Sequence, residues 1–180
     1  MTDPVAAAKE TKDWAPVAEQ GCDECGCLPV PGPQIGDRLR QTTGSWGQVL
    51  HSAQAARRPE PQVWSPVEYA AHVRDMCRLA VERVQLMLQE DTPTFSNWDQ
   101  DERAVTHDYF HASPTEISSD LEHHLRLAAH TFDAVAAGDW TRPGLRGDGR
   151  AFTVSTFASF VLHEVEHHLQ DARRGVGHSI

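Results

Sequence analysis

Hydrophobic residues recur at three- and four-residue steps in four separate stretches of the chain, which is the spacing of amphipathic helices. The stretches are residues 34–56, 65–89, 113–138 and 152–174. Each helix must bury its apolar side, and no convincing strand pattern lies between them. The pattern therefore predicts an all-α protein built as a four-helix bundle.

Start signals support two of these helices. Residues 65–68 and 113–116 each combine a serine N-cap, a proline at the first helical position and a capping glutamate. The helix over 34–56 is interrupted by Gly44 and Gly47, which weaken it. Residues 91–112 break the helical pattern and form a long acidic connection, and a connection of this length in a helical domain usually has a function or crosses the bundle.

The first 33 residues precede the predicted bundle domain of residues 34–180. Their prolines and glycines exclude a long helix, so we expect an irregular arm that lies against the domain. Cys22, Cys25 and Cys27 follow a C-x-x-C-x-C pattern in this arm. Such a turn can place two or three thiolates on one zinc ion, but a closed site needs another ligand from elsewhere. A loop with free cysteines is the alternative.

Charge and hydropathy restrict the class of protein. The 180-residue chain has a formal net charge of −10, which argues against a nucleic-acid partner bound through phosphate contacts. No apolar stretch is long enough to span a membrane, and residues 1–4 lack the basic and apolar regions of a signal peptide. We therefore expect a cytoplasmic protein with no membrane partner.

Residues 163–168, with the sequence HEVEHH, contain the strongest candidate chemistry. His163 and His167 lie one helical turn apart and can hold one metal ion together. The same residues match H-E-x-x-H, in which a metallopeptidase uses the glutamate as general base. A third ligand normally follows that motif, yet only residues 168–180 remain, with Asp171 and His178 as candidates. We therefore expect the third ligand to come from upstream.

The upstream candidate is His72, which falls within the apolar stripe of the helix over 65–89. A buried imidazole needs a partner, and with a histidine pair it would complete three ligands around an ion that keeps one open position. Glu164 and His168 are also four residues apart and lie nearer the centre of the last helix's apolar stripe. The residues alone leave both pairs open.

Several motifs resemble the DinB-like superfamily of bacterial metal-binding four-helix proteins. They are WSPVEYAAHV (64–73), NWDQD (97–101), FTV (152–154) and HEVEHH (163–168). The superfamily includes mycothiol-dependent maleylpyruvate isomerases and bacillithiol or mycothiol S-transferases, and the resemblance covers roughly residues 34–174. The cysteine-rich arm is similar to a C-x-E-C-G element in some actinobacterial members.

This resemblance implies a ligand set of His72, His163 and His167. The ion would be divalent, with zinc expected and nickel or another transition metal as alternatives. It also implies an enzyme that acts on a low-molecular-weight thiol or its adduct, as a thiol S-transferase or isomerase does. Glu164 or Glu166 would then orient a ligating ring or relay a proton.

Other residues receive supporting roles in this interpretation. Trp98 and Asp99 would form the wall of the pocket, and His124 on the third helix would act as a base or as a partner of a ligand. Bundles of this family often pair, which implies a homodimer. A metal-stabilised binding or regulatory domain without turnover is the alternative from another class, because many superfamily members have no assigned reaction. The metallopeptidase is a further alternative.

Overall fold

The computed structural model describes residues 6–9 and 11–177. His178 and the residues that bear on a signal peptide therefore lie outside the described residues. The α-helices are α1 (Val17–Gln20), α2 (Ile35–Leu50), α3 (Pro66–Gln89), α4 (Gln100–Thr106), α5 (Pro114–Asp133) and α6 (Val154–Gly175). The strands are β1 (Thr94–Phe95), β2 (Pro143–Arg146) and β3 (Ala151–Thr153), and short 3₁₀ turns cover Gly32–Gln34 and Tyr109–His111.

The four long helices form the predicted bundle. Both α2 and α3 pack against α5 and α6, whereas α2 and α3 make few contacts with each other. Going around the bundle, the order is therefore α2, α5, α3 and α6. The largest side chains sealed in its core include Trp46, Phe132, Phe157, Leu121 and Leu125. The consecutive pairs α2/α3 and α5/α6 therefore lie across the bundle, whereas α3 and α5 are neighbours. The connections within the two diagonal pairs must cross an end of the bundle.

The predicted helix starts are present. The Ser65 side chain accepts a hydrogen bond from the Glu68 backbone N–H at 3.4 Å, and the Glu68 carboxylate accepts one from the Ser65 N–H at 2.8 Å. Ser113 caps α5 through the serine half of the motif, since its side chain accepts a hydrogen bond from the N–H of Glu116 at 3.4 Å. The first long helix ends at Leu50, earlier than predicted, where the His51 ring bonds to a carbonyl oxygen of the last turn.

Two expectations about the connections need correction. A small sheet is present, in which β2 pairs with β1 in parallel and with β3 antiparallel. The connection over residues 91–112 contains β1, α4 and a 3₁₀ turn rather than an irregular loop. Strands of two to four residues are too short to give an alternating pattern that can be recognised in the sequence. Gly144 lets the sheet approach α3, because a Cβ there would lie 2.8 Å from Cγ of Met87.

One buried carboxylate fastens the connection to the bundle. Asp75 of α3 accepts hydrogen bonds from Nε of Arg103, the Tyr109 hydroxyl at 2.7 Å and Nε of Arg74 at 2.9 Å. Burial alone would raise the pKa of Asp75, but these donors lower it to about 2. Because α4 is tied down in this way, Trp98 at its entry is held over α3.

The N-terminal arm packs along α6. The Cys25 carbonyl oxygen accepts a hydrogen bond from the Gln170 side chain at 2.9 Å, and the Val30 N–H donates to the Ser159 hydroxyl at 3.4 Å. The arm also contains α1, so it is less irregular than expected. None of the helices described between residues 6 and 177 is long and apolar enough to cross a bilayer.

Candidate metal centre

Helix α6 presents two pairs of metal-binding side chains on adjacent faces. Glu164 and His168 face α3, whereas His163 and His167 lie one position earlier and face the arm. Since each residue advances about 100° around a helix, neighbouring pairs must point in different directions. Two separate groups of ligand atoms result, one on each face.

The first group, here called the helix group, consists of His72, Glu164 and His168. Nε2 of His72 lies 3.3 Å from Oε2 of Glu164, and Nε2 of His168 lies 3.5 Å from the same oxygen. His72 is 0% exposed and Glu164 is 6% exposed. The ligand atoms of all three residues lie within 4.8 Å of one another, close enough for one ion to hold them together.

The electrostatics of the helix group suit a cation. Burial alone would raise the pKa of Glu164, but hydrogen bonds from His163, His168 and His72 hold it well below its usual range. Burial lowers the pKa of His72, which favours the neutral imidazole that binds metals. Burial opposes protonation of His168 as well, but its two carboxylate partners raise its pKa to about 9 in the metal-free chain.

Neighbouring side chains hold the rings of the helix group in place. Nδ1 of His168 lies 2.9 Å from Oδ2 of Asp171, so a carboxylate fixes which ring nitrogen faces Glu164. Tyr69 stacks on His168 with ring centroids 5.3 Å apart. Trp98 stacks on His72 with centroids 5.2 Å apart and an interplanar angle of 21°.

The second group, here called the arm group, consists of Cys22, Cys25, His163 and His167. The Cys22 sulfur lies 3.9 Å from Nδ1 of His167. Nδ1 of His163 lies 3.3 Å from Oε1 of Glu164, while its buried Nε2 has no hydrogen-bond partner among the described residues. Trp14 stacks on the His163 ring with centroids 5.4 Å apart.

The structure does not bring together the ligand sets expected from the sequence. His72 belongs to the helix group, whereas His163 and His167 belong to the arm group, because the two faces of α6 point toward different elements. Glu164 connects the groups, with one oxygen toward each. Cys27 lies beside Cys25 but is not in the arm group, and its thiol donates to Oε2 of Glu166 at 3.0 Å.

Two residues expected to assist the chemistry lie elsewhere. Glu166 forms an ion pair with Arg38 at 2.6 Å and faces away from the helix group. The Nδ1 atom of His124 bonds to the Asp120 carbonyl oxygen of its own helix at 2.7 Å. Among residues 6–9 and 11–177, His124 is in none of the groups suited to a metal. In the structure, neither side chain is placed for the proposed catalytic role.

Two cavities open beside the helix group. The larger, of about 560 Å³, is lined by Trp98 and Asp99, the two residues expected at the pocket wall, and by Glu164. The smaller, of about 250 Å³, is lined by Glu164 and His168. Trp14 from the arm lines both cavities. Glu164 thus borders both cavities, although it is buried.

The sequence did not indicate that Asp171 and Trp14 contact the candidate ligands. Asp171 contacts His168 and also lies 3.6 Å from Nε2 of His167, although the sequence suggested it only as a peptidase ligand. The spacing of three residues between His168 and Asp171 on one helix is a signal that could have indicated the contact. Trp14 gave no such signal, because its position depends on how the arm folds back.

Comparisons with known proteins identify the family. A model of the DinB superfamily matches residues 34–172, and the chain belongs to this superfamily. No curated protein matches the chain. Among solved structures, it is similar to YfiT from Bacillus subtilis, with 17% identity and a TM-score of 0.70. That match covers 82% of this chain and 89% of YfiT, which is described as a probable metal-dependent hydrolase with an unusual four-helix bundle topology. At this identity the likeness shows a shared fold.

Proposed function

We propose that the chain is a divalent-metal-dependent enzyme whose ion is held by the helix group. One observation carries this proposal: a buried set of two imidazoles and one carboxylate, His72, His168 and Glu164, adjoins a cavity of about 560 Å³. Two histidines and a carboxylate are a common catalytic ligand set, which leaves coordination positions open for a substrate. A cation would also balance the buried negative charge of Glu164.

The surrounding residues orient the ligands and exclude water. Asp171 accepts a hydrogen bond from Nδ1–H of His168, which would leave Nε2 to bind the ion. Trp98 covers His72 and limits the rotation of that ring. When bound, a divalent ion with an open position favours thiolate or hydroxide over thiol or water near neutral pH. The site thereby supplies a nucleophile, or an activated leaving group, next to the cavity.

We further propose that the substrate is a low-molecular-weight thiol or its adduct, with S-transfer or isomerisation as the reaction. The resemblance to a superfamily that includes thiol S-transferases supports this choice. The cavity volume lies within the range of about 300–1,000 Å³ typical of small-molecule sites. Arg83 lines the same cavity and would attract the carboxylates that small thiols and their adducts often carry, whereas Arg146 there is paired with Asp148 at 2.7 Å.

Hydrolysis is a second candidate, favoured by the description of YfiT as a probable metal-dependent hydrolase. Water would then take the place of the thiol in the same cavity, and the ligands would be unchanged. The two reactions differ in their need for a thiol. Hydrolysis of an ester or amide without added thiol would therefore favour this candidate.

The test combines metal removal with substitution of one ligand. Metal-free protein should lose S-transfer between a mycothiol-like thiol and an electrophile, and addition of zinc or nickel should restore it. His72→Ala should lose both the ion and the activity. His124→Ala is the matched control and should retain both, because His124 is in none of the metal-binding groups of the described residues and its ring bonds to Asp120 of its own helix. Unchanged turnover in the metal-free protein would reject the proposal.

A further inference from the structure

We propose that the arm group binds a second ion, a structural zinc that fastens the N-terminal arm to α6. This site uses none of the residues assigned above as ligands of the catalytic ion. Its donors are Cys22 and Cys25 from the arm and His163 and His167 from α6. Two thiolates and two imidazoles form a closed tetrahedral zinc site, so this ion would have a structural role.

The distances fit such a site. Bonds of about 2.0–2.3 Å in a tetrahedral arrangement place ligand atoms about 3.3–3.8 Å apart. The Cys22 sulfur and Nδ1 of His167 are already separated by only 3.9 Å. All four donor atoms lie within 4.8 Å of one another, so binding requires small side-chain movements and no change of fold.

The cysteine turn already has the shape that a zinc ion requires. The Gly26 N–H donates to the Cys22 carbonyl oxygen at 2.8 Å, and Gly26 has a φ of +73°, which a glycine adopts without strain. Backbone N–H groups of Cys25 and Glu24 donate to the Cys22 sulfur, and the Cys27 N–H donates to the Cys25 sulfur.

The His163 ring provides an independent indication of a ligand. Nδ1 faces Oε1 of Glu164 at 3.3 Å, while the buried Nε2 has no hydrogen bond of regular geometry within the described part of the chain, although the ring also interacts with the Cys22 thiol. His163 as a whole is only 4% exposed. A buried polar atom without a partner is costly, and a metal ion beside the two sulfurs would satisfy it. The carboxylate on the other nitrogen is the usual partner of a zinc-bound histidine.

This zinc would also shape the proposed active site. The arm carries Trp14, which stacks on His163 and lines both cavities beside Glu164. Few other hydrogen bonds hold the turn to α6, notably that from Gln170 to the Cys25 carbonyl. We therefore infer that the second ion sets the position of the cavity wall as well as that of the arm.

Cobalt provides a direct test. Metal-free protein, reduced and loaded with Co²⁺, should bind two ions per chain and show the near-ultraviolet charge-transfer absorption of cobalt bound to thiolate. Cys22→Ser and Cys25→Ser should each lose most of this absorption and about one ion per chain. Cys27→Ser is the matched control in the same turn. It should retain the absorption, because Cys27 is outside the arm group and its thiol donates to Glu166.

A further variant separates this inference from the proposed function. His72→Ala should lose the other ion and retain the thiolate–cobalt absorption, so either site can fail without the other. A wild-type spectrum without that absorption would overturn the inference, even if the cysteine variants did not fold. Loss of the absorption in Cys27→Ser but not in Cys22→Ser would also overturn it.

Discussion

Asp75 is the buried charge whose removal tests the physical account of the fold most directly. Its side chain is almost inaccessible, with the residue 2% exposed, and it accepts hydrogen bonds from Arg103, Tyr109 and Arg74. We predict that Asp75→Asn destabilises the protein at neutral pH. The amide would keep the shape of the side chain but lose the charge that these donors neutralise.

The size of this destabilisation follows from the pKa of Asp75. The three donors lower the pKa of Asp75 from an ordinary value of 3.8 to about 2, although burial opposes this. At about 1.4 kcal/mol per pKa unit, the ionised form contributes about 2 kcal/mol to the free energy of unfolding. This contribution is complete above the unfolded pKa near 4. It disappears as the pH falls from there toward 2, because the folded pKa is the lower one.

The assay is urea unfolding of the metal-loaded protein at several pH values. At pH 7, Asp75→Asn should be less stable than the wild type by about 2 kcal/mol, and the difference should shrink below pH 4. Asp120→Asn is the control, because Asp120 is largely exposed and lies 3.9 Å from Arg74. It should change stability by less than about 0.5 kcal/mol. A variant of Asp75 that is as stable as the wild type at pH 7 would refute the reasoning.

Three further predictions concern the ligands, the cysteine turn and the helix caps. Asp171→Asn should weaken metal binding about 10- to 100-fold in a chelator competition, because it orients His168, and an unchanged affinity would contradict that role. Gly26→Ala should weaken cobalt binding at the arm group, whereas Gly26→Asn should weaken it less, because asparagine tolerates a positive φ. Ser65→Ala should lower the free energy of unfolding by about 1–2 kcal/mol, and Ser113→Ala, at a more exposed cap, by about 0.5 kcal/mol. If urea unfolding showed that Ser65→Ala and Ser113→Ala lose the same free energy of unfolding, burial would not strengthen the Ser65 cap.

The bundle could be predicted from the sequence because its causes are local. Apolar residues at helical spacing and the two serine caps indicate where the long helices lie and which side each one buries. The order of the helices around the bundle was not available, because it depends on contacts between residues far apart in the chain. The short strands were missed for the same reason: β1 exists only because β2 lies beside it.

The candidate metal ligands show which features of a site a sequence pattern can predict and which it cannot. The sequence indicated the HEVEHH segment and His72 as candidate ligands, and it left two pairs on α6 open. The choice between them depends on a rotation of about 100° around the helix axis, which packing decides. In the structure Glu164 faces His72, and His163 faces Cys22 and Cys25 of the arm. The partners of the cysteines were hidden because the arm folds back onto a helix about 140 residues later in the chain.

The most direct test of the central claim is a crystal structure of the metal-loaded protein, with an anomalous-scattering map collected at the absorption edge of the bound metal. We predict one peak bonded to His72, Glu164 and His168, next to the larger cavity. A peak bonded instead to His72, His163 and His167, or no peak within bonding distance of Glu164, would contradict the account.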